Sequence, residues 1–270
     1  TNVRTTGESV PNQLPSISPP QVDAVSSGDT RPATLTISHT TGSGSDRLML
    51  VGVSFINDEL ETVSSVTYNG VNLTKVGEQD SVDDARVEIW SLVAPPTGTY
   101  NVVITFSAPL RRVAAAGVMT YTGVHQTTPL GTFASAFSQS SSGTVSVNVS
   151  SAANELVFDT AACPNCSQLQ VGANQTQRWN LSMTDDFFVS VGAGSTEPGA
   201  ASVAMSWNQG FPEPWAIGAV SIKPAGGGAI AFDLPSEGNT GDNQVPDLTV
   251  SHTVGTGGSN RILVVGVNIY

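Results

Sequence analysis

Basic side chains are scarce in this sequence. Lys and Arg number 10 against 22 Asp and Glu, and the only lysines are Lys75 and Lys223. A formal net charge of -12 repels phosphate backbones and anionic headgroups, which makes nucleic acid and acidic membranes poor partners. Long apolar runs are also missing: nothing approaches the roughly 18 consecutive apolar residues that a membrane-spanning helix requires. The opening TNVRTTGESVPNQLPSISPPQ lacks the basic-then-apolar character of a signal peptide, so an export signal would belong to a precursor. Enzyme signatures are absent as well, with no G-x-S-x-G elbow, P-loop, H-E-x-x-H or dinucleotide fingerprint. The expectation is a protein that is not an enzyme and needs no cofactor, structural calcium aside.

Cysteine is limited to Cys163 and Cys166, in CPNC. A redox motif of this spacing opens a helix, and no helical periodicity follows here; a zinc site wants further ligands, and His39, His125 and His252 are scattered. A short-loop disulfide in an oxidising compartment is the reading that remains. Charged residues make up only 12% of the chain, while Gly, Ser, Thr and Asn are abundant, a composition suited to the hydroxyl- and amide-covered surface of a secreted β-protein. Five Asn-x-Ser/Thr triplets, at Asn72, Asn148, Asn165, Asn174 and Asn180, are candidate glycosylation sites.

What the chain does have is short apolar or alternating runs punctuated by turn residues: TLTISH, RLMLVGVSFI, VSSVTYN, VEIWSLV, YNVVITFS, RVAAAGVMTYTG, TVSVNVS, ELVFDTAA, FFVSVGAG, SVAMSW and WAIGAVSIK. The Asn-Gly of YNGV favours a tight hairpin. Many short strands at near-regular spacing predict an all-β fold, an antiparallel β-sandwich of jelly-roll type. LMLVGV is apolar at consecutive positions, so both faces of that strand should be covered. Gly52, Gly117 and Gly218 interrupt strands, each marking a bulge, a bend or a bulky neighbour lying over the backbone.

The chain also repeats itself. Leu35, Ile37, His39, Gly42 and Gly44 recur as Leu248, Val250, His252, Gly255 and Gly257, and Arg47, Leu48, Gly52 and Val53 recur as Arg261, Ile262, Gly266 and Val267. Residues 1–20 read as an extended arm or linker, 21–224 as a sandwich unit, 225–228 as a Gly-rich joint, and 229–270 as a partial second repeat or assembly tail. Leaving RILVVGVNIY in water would forgo on the order of 10 kcal/mol. Its cover would come from further repeat sequence, from its own first unit, or from the sheet of a neighbouring chain. Ile262, Leu263, Val264, Val265, Val267 and Ile269 are therefore the expected assembly residues, and the expected partners are copies of the chain or neighbouring repeats.

EIWSLVAPPTGTYNVVITFS, GVMTYTGVHQTTPLGTFASA and WAIGAVSIKPA, taken in order, resemble repeated β-sandwich modules of large secreted prokaryotic surface proteins. The shared pieces are a strand ending at Trp90 and followed by Pro95-Pro96-Thr97-Gly98, the turn Thr127 to Gly131, and the last strand from Trp215. The resemblance implies an extracellular or cell-surface, structural or adhesin-like role and carries over no catalytic residue. At position 125, where such modules often have an acid, this chain has His125.

Three chemical alternatives remain. Asp83-Asp84 and Asp185-Asp186 are calcium candidates, because hard cations collect oxygen ligands. A glycosidase pair would draw on these four acids with Glu88 and Glu197. Trp179 and Trp207, beside polar residues, are the candidate platform for stacking on sugar rings, whereas Trp90 and Trp215 read as core. A carbohydrate-binding module is accordingly the rival to a structural filament, fibre or surface layer. His39 and His252, recurring together, point to a hydrogen bond that belongs to the fold.

Overall fold

The computed structural model describes residues 17–31, 33–57, 60–81, 85–139, 143–184, 189–226, 249–253, 263 and 265–267. Residues 17–226 form one compact unit, and residues 1–16 with 227–270 are assigned to another. Among the described residues every regular element is a strand, and every strand pairing is antiparallel, as the alternating patterns predict.

Nine strands build a first sandwich: β1 (Gln21–Thr30), β2 (Thr34–Thr41), β3 (Leu48–Ile56), β4 (Val63–Tyr68), β5 (Val71–Asn72), β6 (Thr74–Asp80), β7 (Ala85–Val93), β8 (Gly98–Phe106) and β9 (Ala114–Thr122). One sheet runs β1-β9-β3-β7-β6 and the facing sheet β2-β8-β4-β5; apart from the β4–β5 and β6–β7 hairpins, successive strands cross from sheet to sheet in jelly-roll winding. Eight more strands repeat the pattern: β10 (Ala134–Ser138), β11 (Thr144–Ser150), β12 (Leu156–Cys163), β13 (Gln170–Val171), β14 (Thr176–Thr184), β15 (Val189–Pro198), β16 (Ser202–Asn208) and β17 (Trp215–Ile222). Their sheets run β10-β17-β12-β15-β14 and β11-β16-β13. The unit thus contains two jelly rolls of like winding where the strand runs alone indicated one.

The two larger sheets stand back to back. Leu48, Leu50, Met119 and Tyr121 of the first sandwich share a cluster with Phe158, Val220 and Ile222 of the second. On the opposite faces of the same strands, Met49, Val51, Val53 and Phe55 fill the first sandwich, and Val157, Ala161, Ile217 and Ala219 fill the second. This arrangement explains LMLVGV: all nine residues of β3 are buried, with odd and even positions facing different cores.

Close approach requires the interior glycines. A side-chain carbon at Gly117 would fall inside the indole of Trp179, and one at Gly218 would meet Phe133. The bulky-neighbour reading therefore holds for both. In the YNGV hairpin, Asn69 and Gly70 have φ of 49° and 75°, and Tyr68 pairs with Val71, the two left-handed residues of a type I′ turn.

Candidate functional site

The most chemically loaded point is a charged residue inside an apolar strand. Alternation along β12 sends Asp159 into the second sandwich with Val157 and Ala161, where it is fully buried. Its Oδ1 accepts hydrogen bonds from the Ser195 N–H at 2.6 Å and the Ser195 hydroxyl at 2.8 Å, and its Oδ2 accepts from Trp207 Nε1 at 2.8 Å. These three donors are neutral. Burial outweighs them and pushes the carboxyl up to about 7.

The network continues outward. Gln175, in the connection between β13 and β14, donates from Nε2 to the Ser195 Oγ at 2.7 Å. Its Oε1 accepts from the Ser206 N–H at 2.8 Å, with the Ser206 hydroxyl at 3.4 Å. A hydroxyl, a buried carboxylate, an amide carbonyl and two donors to that carbonyl thus converge from β12, β15, β16 and the loop before β14. The signal available in the sequence was the lone Asp in ELVFDTAA; its partners lie on strands too distant in sequence for spacing to reveal them.

The first sandwich holds its buried carboxylate differently. Glu88 accepts from Arg86 Nε at 2.9 Å, from the Val63 N–H at 3.1 Å and from Trp90 Nε1 at 3.1 Å. Arg86 also pairs with Glu78 and Asp80; burial works against its charge, but the carboxylates of Glu88, Glu78 and Asp80 together outweigh burial and leave the guanidinium more firmly protonated than usual. Glu88 is fully buried and ion-paired, hence unable to reach a substrate as one half of a glycosidase pair.

His39 is buried between β1, β2 and β9. Thr120 Oγ1 donates to Asp23 at 3.0 Å, so the imidazole hydrogen sits on Nε2 and points at Thr120 Oγ1, 3.2 Å away. Nδ1 then accepts from Ser26 Oγ at 3.0 Å. Burial lowers the imidazole pKa to about 4, against the opposing pull of Asp23. The fold-level hydrogen bond expected of His39 is thus present. Asp233 and Ser236 stand before His252 in the repeat as Asp23 and Ser26 stand before His39. His252 lies among the described residues, while Asp233 and Ser236 lie outside them.

The stacking platform is overturned. Trp179 is 3% exposed and Trp207 0%, so neither ring can lie against a sugar. A bulge at Arg178 turns Trp179 onto Gly117 and Gly194, and Trp207 faces the second core with its N–H on Asp159. Polar neighbours in QTQRWNLS had suggested a loop, but they belong to the solvent side of an edge strand. Trp90 and Trp215 are core, as expected.

Asp83, Asp84, Asp185 and Asp186 lie outside the described residues, between β6 and β7 and between β14 and β15 in sequence. Among the described residues no group of three or more His, Cys, Asp or Glu is arranged to hold a metal ion. Cys163 and Cys166 form the expected disulfide, buried at the end of β12. Asn72, Asn148, Asn165 and Asn174 are exposed, whereas Asn180 is half-buried and donates from Nδ2 to the Leu169 carbonyl at 2.7 Å.

Of the assembly residues, Ile262, Val264 and Ile269 lie outside the described residues. Leu263, Val265 and Val267 are 63%, 73% and 71% exposed. The repeat aligns them with Met49, Val51 and Val53, each 0% exposed inside the first sandwich. No family model, curated protein or solved structure matches this chain.

Proposed function

We propose that this is an extracellular structural protein whose β-sandwich units assemble into a filament, fibre or surface layer through terminal strands. One observation carries the reading: Leu263, Val265 and Val267 stand in solvent although their counterparts Met49, Val51 and Val53 are completely buried. Alternate spacing puts the three on one face of an extended chain, and a face of this kind gains about 1.5–3 kcal/mol per aliphatic side chain when covered. In the first sandwich the equivalent strand lies between two hydrogen-bonded neighbours, β7 and β9. A neighbouring repeat or a second copy of the chain would supply such neighbours by strand addition. The disulfide, the low charge content and the exposed Asn-x-Ser/Thr sites support an extracellular setting.

The test compares the full chain with a version ending at Pro224, by light scattering and electron microscopy. Assemblies should form only with the tail present, and replacing Leu263, Val265 and Val267 with Ser should abolish them. Polymers that persist without residues 225–270 would remove the tail from the mechanism.

A further inference from the structure

We propose that Ser195 and Gln175 condense into an intramolecular ester that cross-links the second sandwich, with Asp159 as the base. The geometry assembles the parts of an acyl transfer. Ser195 Oγ is the nucleophile, fully buried and 2.8 Å from Asp159 Oδ1. The acyl donor is the Gln175 side-chain amide, whose Nε2 lies 2.7 Å from the same Oγ. Gln175 Oε1 faces the Ser206 N–H at 2.8 Å, with the Ser206 hydroxyl beyond, an arrangement that stabilises negative charge developing on that oxygen.

A small swing of the Gln175 side chain about its Cα–Cβ and Cβ–Cγ bonds, with Oε1 kept on the Ser206 N–H, brings the face of the carbonyl carbon over Oγ. The hydroxyl proton passes to Asp159 as Oγ adds to Cδ, and Oε1 carries the resulting negative charge. Collapse of this intermediate breaks the Cδ–Nε2 bond, and the proton held by Asp159 goes to the departing nitrogen, which leaves as ammonia. One hydroxyl and one primary amide give one ester and one ammonia, so no oxidant, reductant or further reactant is needed. A carboxyl whose burial brings it near neutrality is suited to take up and then return the proton. Fixed neighbours supply a high effective concentration, and escape of ammonia into dilute solution draws the exchange forward. The bond would tie the loop before the edge strand β14 to the interior strand β15. Its existence is independent of the assembly reading, since every participant lies within one sandwich.

The sequence provides a direct assay. Arg178 is the only Lys or Arg between Gln175 and Ser195, and both cysteines lie on the N-terminal side of it. After reduction and denaturation, trypsin should leave the peptide 113–178 attached to the peptide that begins at Trp179, and the intact chain should be lighter than its sequence by one ammonia. Alkaline hydroxylamine should separate the pair and leave a hydroxamate at Gln175. Ser195→Ala and Gln175→Ala should each restore the full mass and free both peptides. Full mass with separate peptides in the unsubstituted chain overturns the proposal without reference to any variant. So does a mass deficit mapped to other residues.

Discussion

Gly117 meets Trp179 with no room for a methyl group, and that contact makes a sharp residue-scale prediction. Gly117→Ala should lower stability by about 2–3 kcal/mol in urea denaturation, because the indole cannot retreat from a packed interface. A change within about 0.5 kcal/mol, the range usual for a surface site, would mean that the contact is loose. Two buried titratable groups make a second prediction. His39, with a folded pKa of about 4 against an ordinary 6.5, is protonated first in the unfolded chain. Its contribution is complete above pH 6.5 and is lost as pH falls toward 4, on the order of 3 kcal/mol in total. Asp159 has the opposite sign: the folded state keeps a proton that the unfolded chain releases, so stability declines as pH rises from 3.8 to about 7. The slopes oppose each other over the shared window. Replacing His39 with Gln should expose a fall in the urea midpoint from pH 4 to 6.5, and replacing Asp159 with Asn should expose a rise. Identical profiles for both variants would contradict these assignments.

At the scale of elements, the interior strands and the alternating edge strands β2 and β11 were legible in the sequence, and the polar edges were not. Strands such as β3, β9 and β17 carry dense apolar runs because both faces are covered, and they stand out on hydrophobicity alone. The strands β1, β6, β10 and β14 lie at sheet edges, with half-exposed polar sequences such as QVDAVSSGDT and TKVGEQD that read as loop. Misreading β14 in this way is what turned Trp179 into a platform. The chemistry around Asp159 stayed hidden for a related reason, since Ser195 meets it only through the sheet register and Trp207, Gln175 and Ser206 join the network from positions distant in sequence. The YNGV hairpin was legible because its signal is local. At that turn Gly70→Ala should cost about 1 kcal/mol by placing a side chain at positive φ, and a stability equal to that of the unsubstituted chain would argue against the I′ geometry.

At the scale of the whole molecule, the duplicated winding has left little trace in the residues. Gly52 opposite Gly117 in the first sandwich becomes Thr160 opposite Gly218 in the second. The cluster formed by Leu48, Leu50, Met119, Phe158, Val220 and Ile222 belongs to both, so neither sandwich keeps a complete core without the other. Calorimetry of residues 17–226 should therefore give one transition, and two well-separated transitions would show that the halves fold independently. The pairing of first and last strands bears on how such a molecule responds to tension. Gln21 is opposite Thr122 and Ala134 is opposite Ala219, so a pull on the ends of either sandwich works at the open end of an antiparallel ladder and peels it one bond at a time. Just inside that opening in the first sandwich, Asp23 grips both the Gly42 N–H and the Thr120 hydroxyl. Stretched, the molecule would yield there first, and this one carboxylate is the catch on the zip.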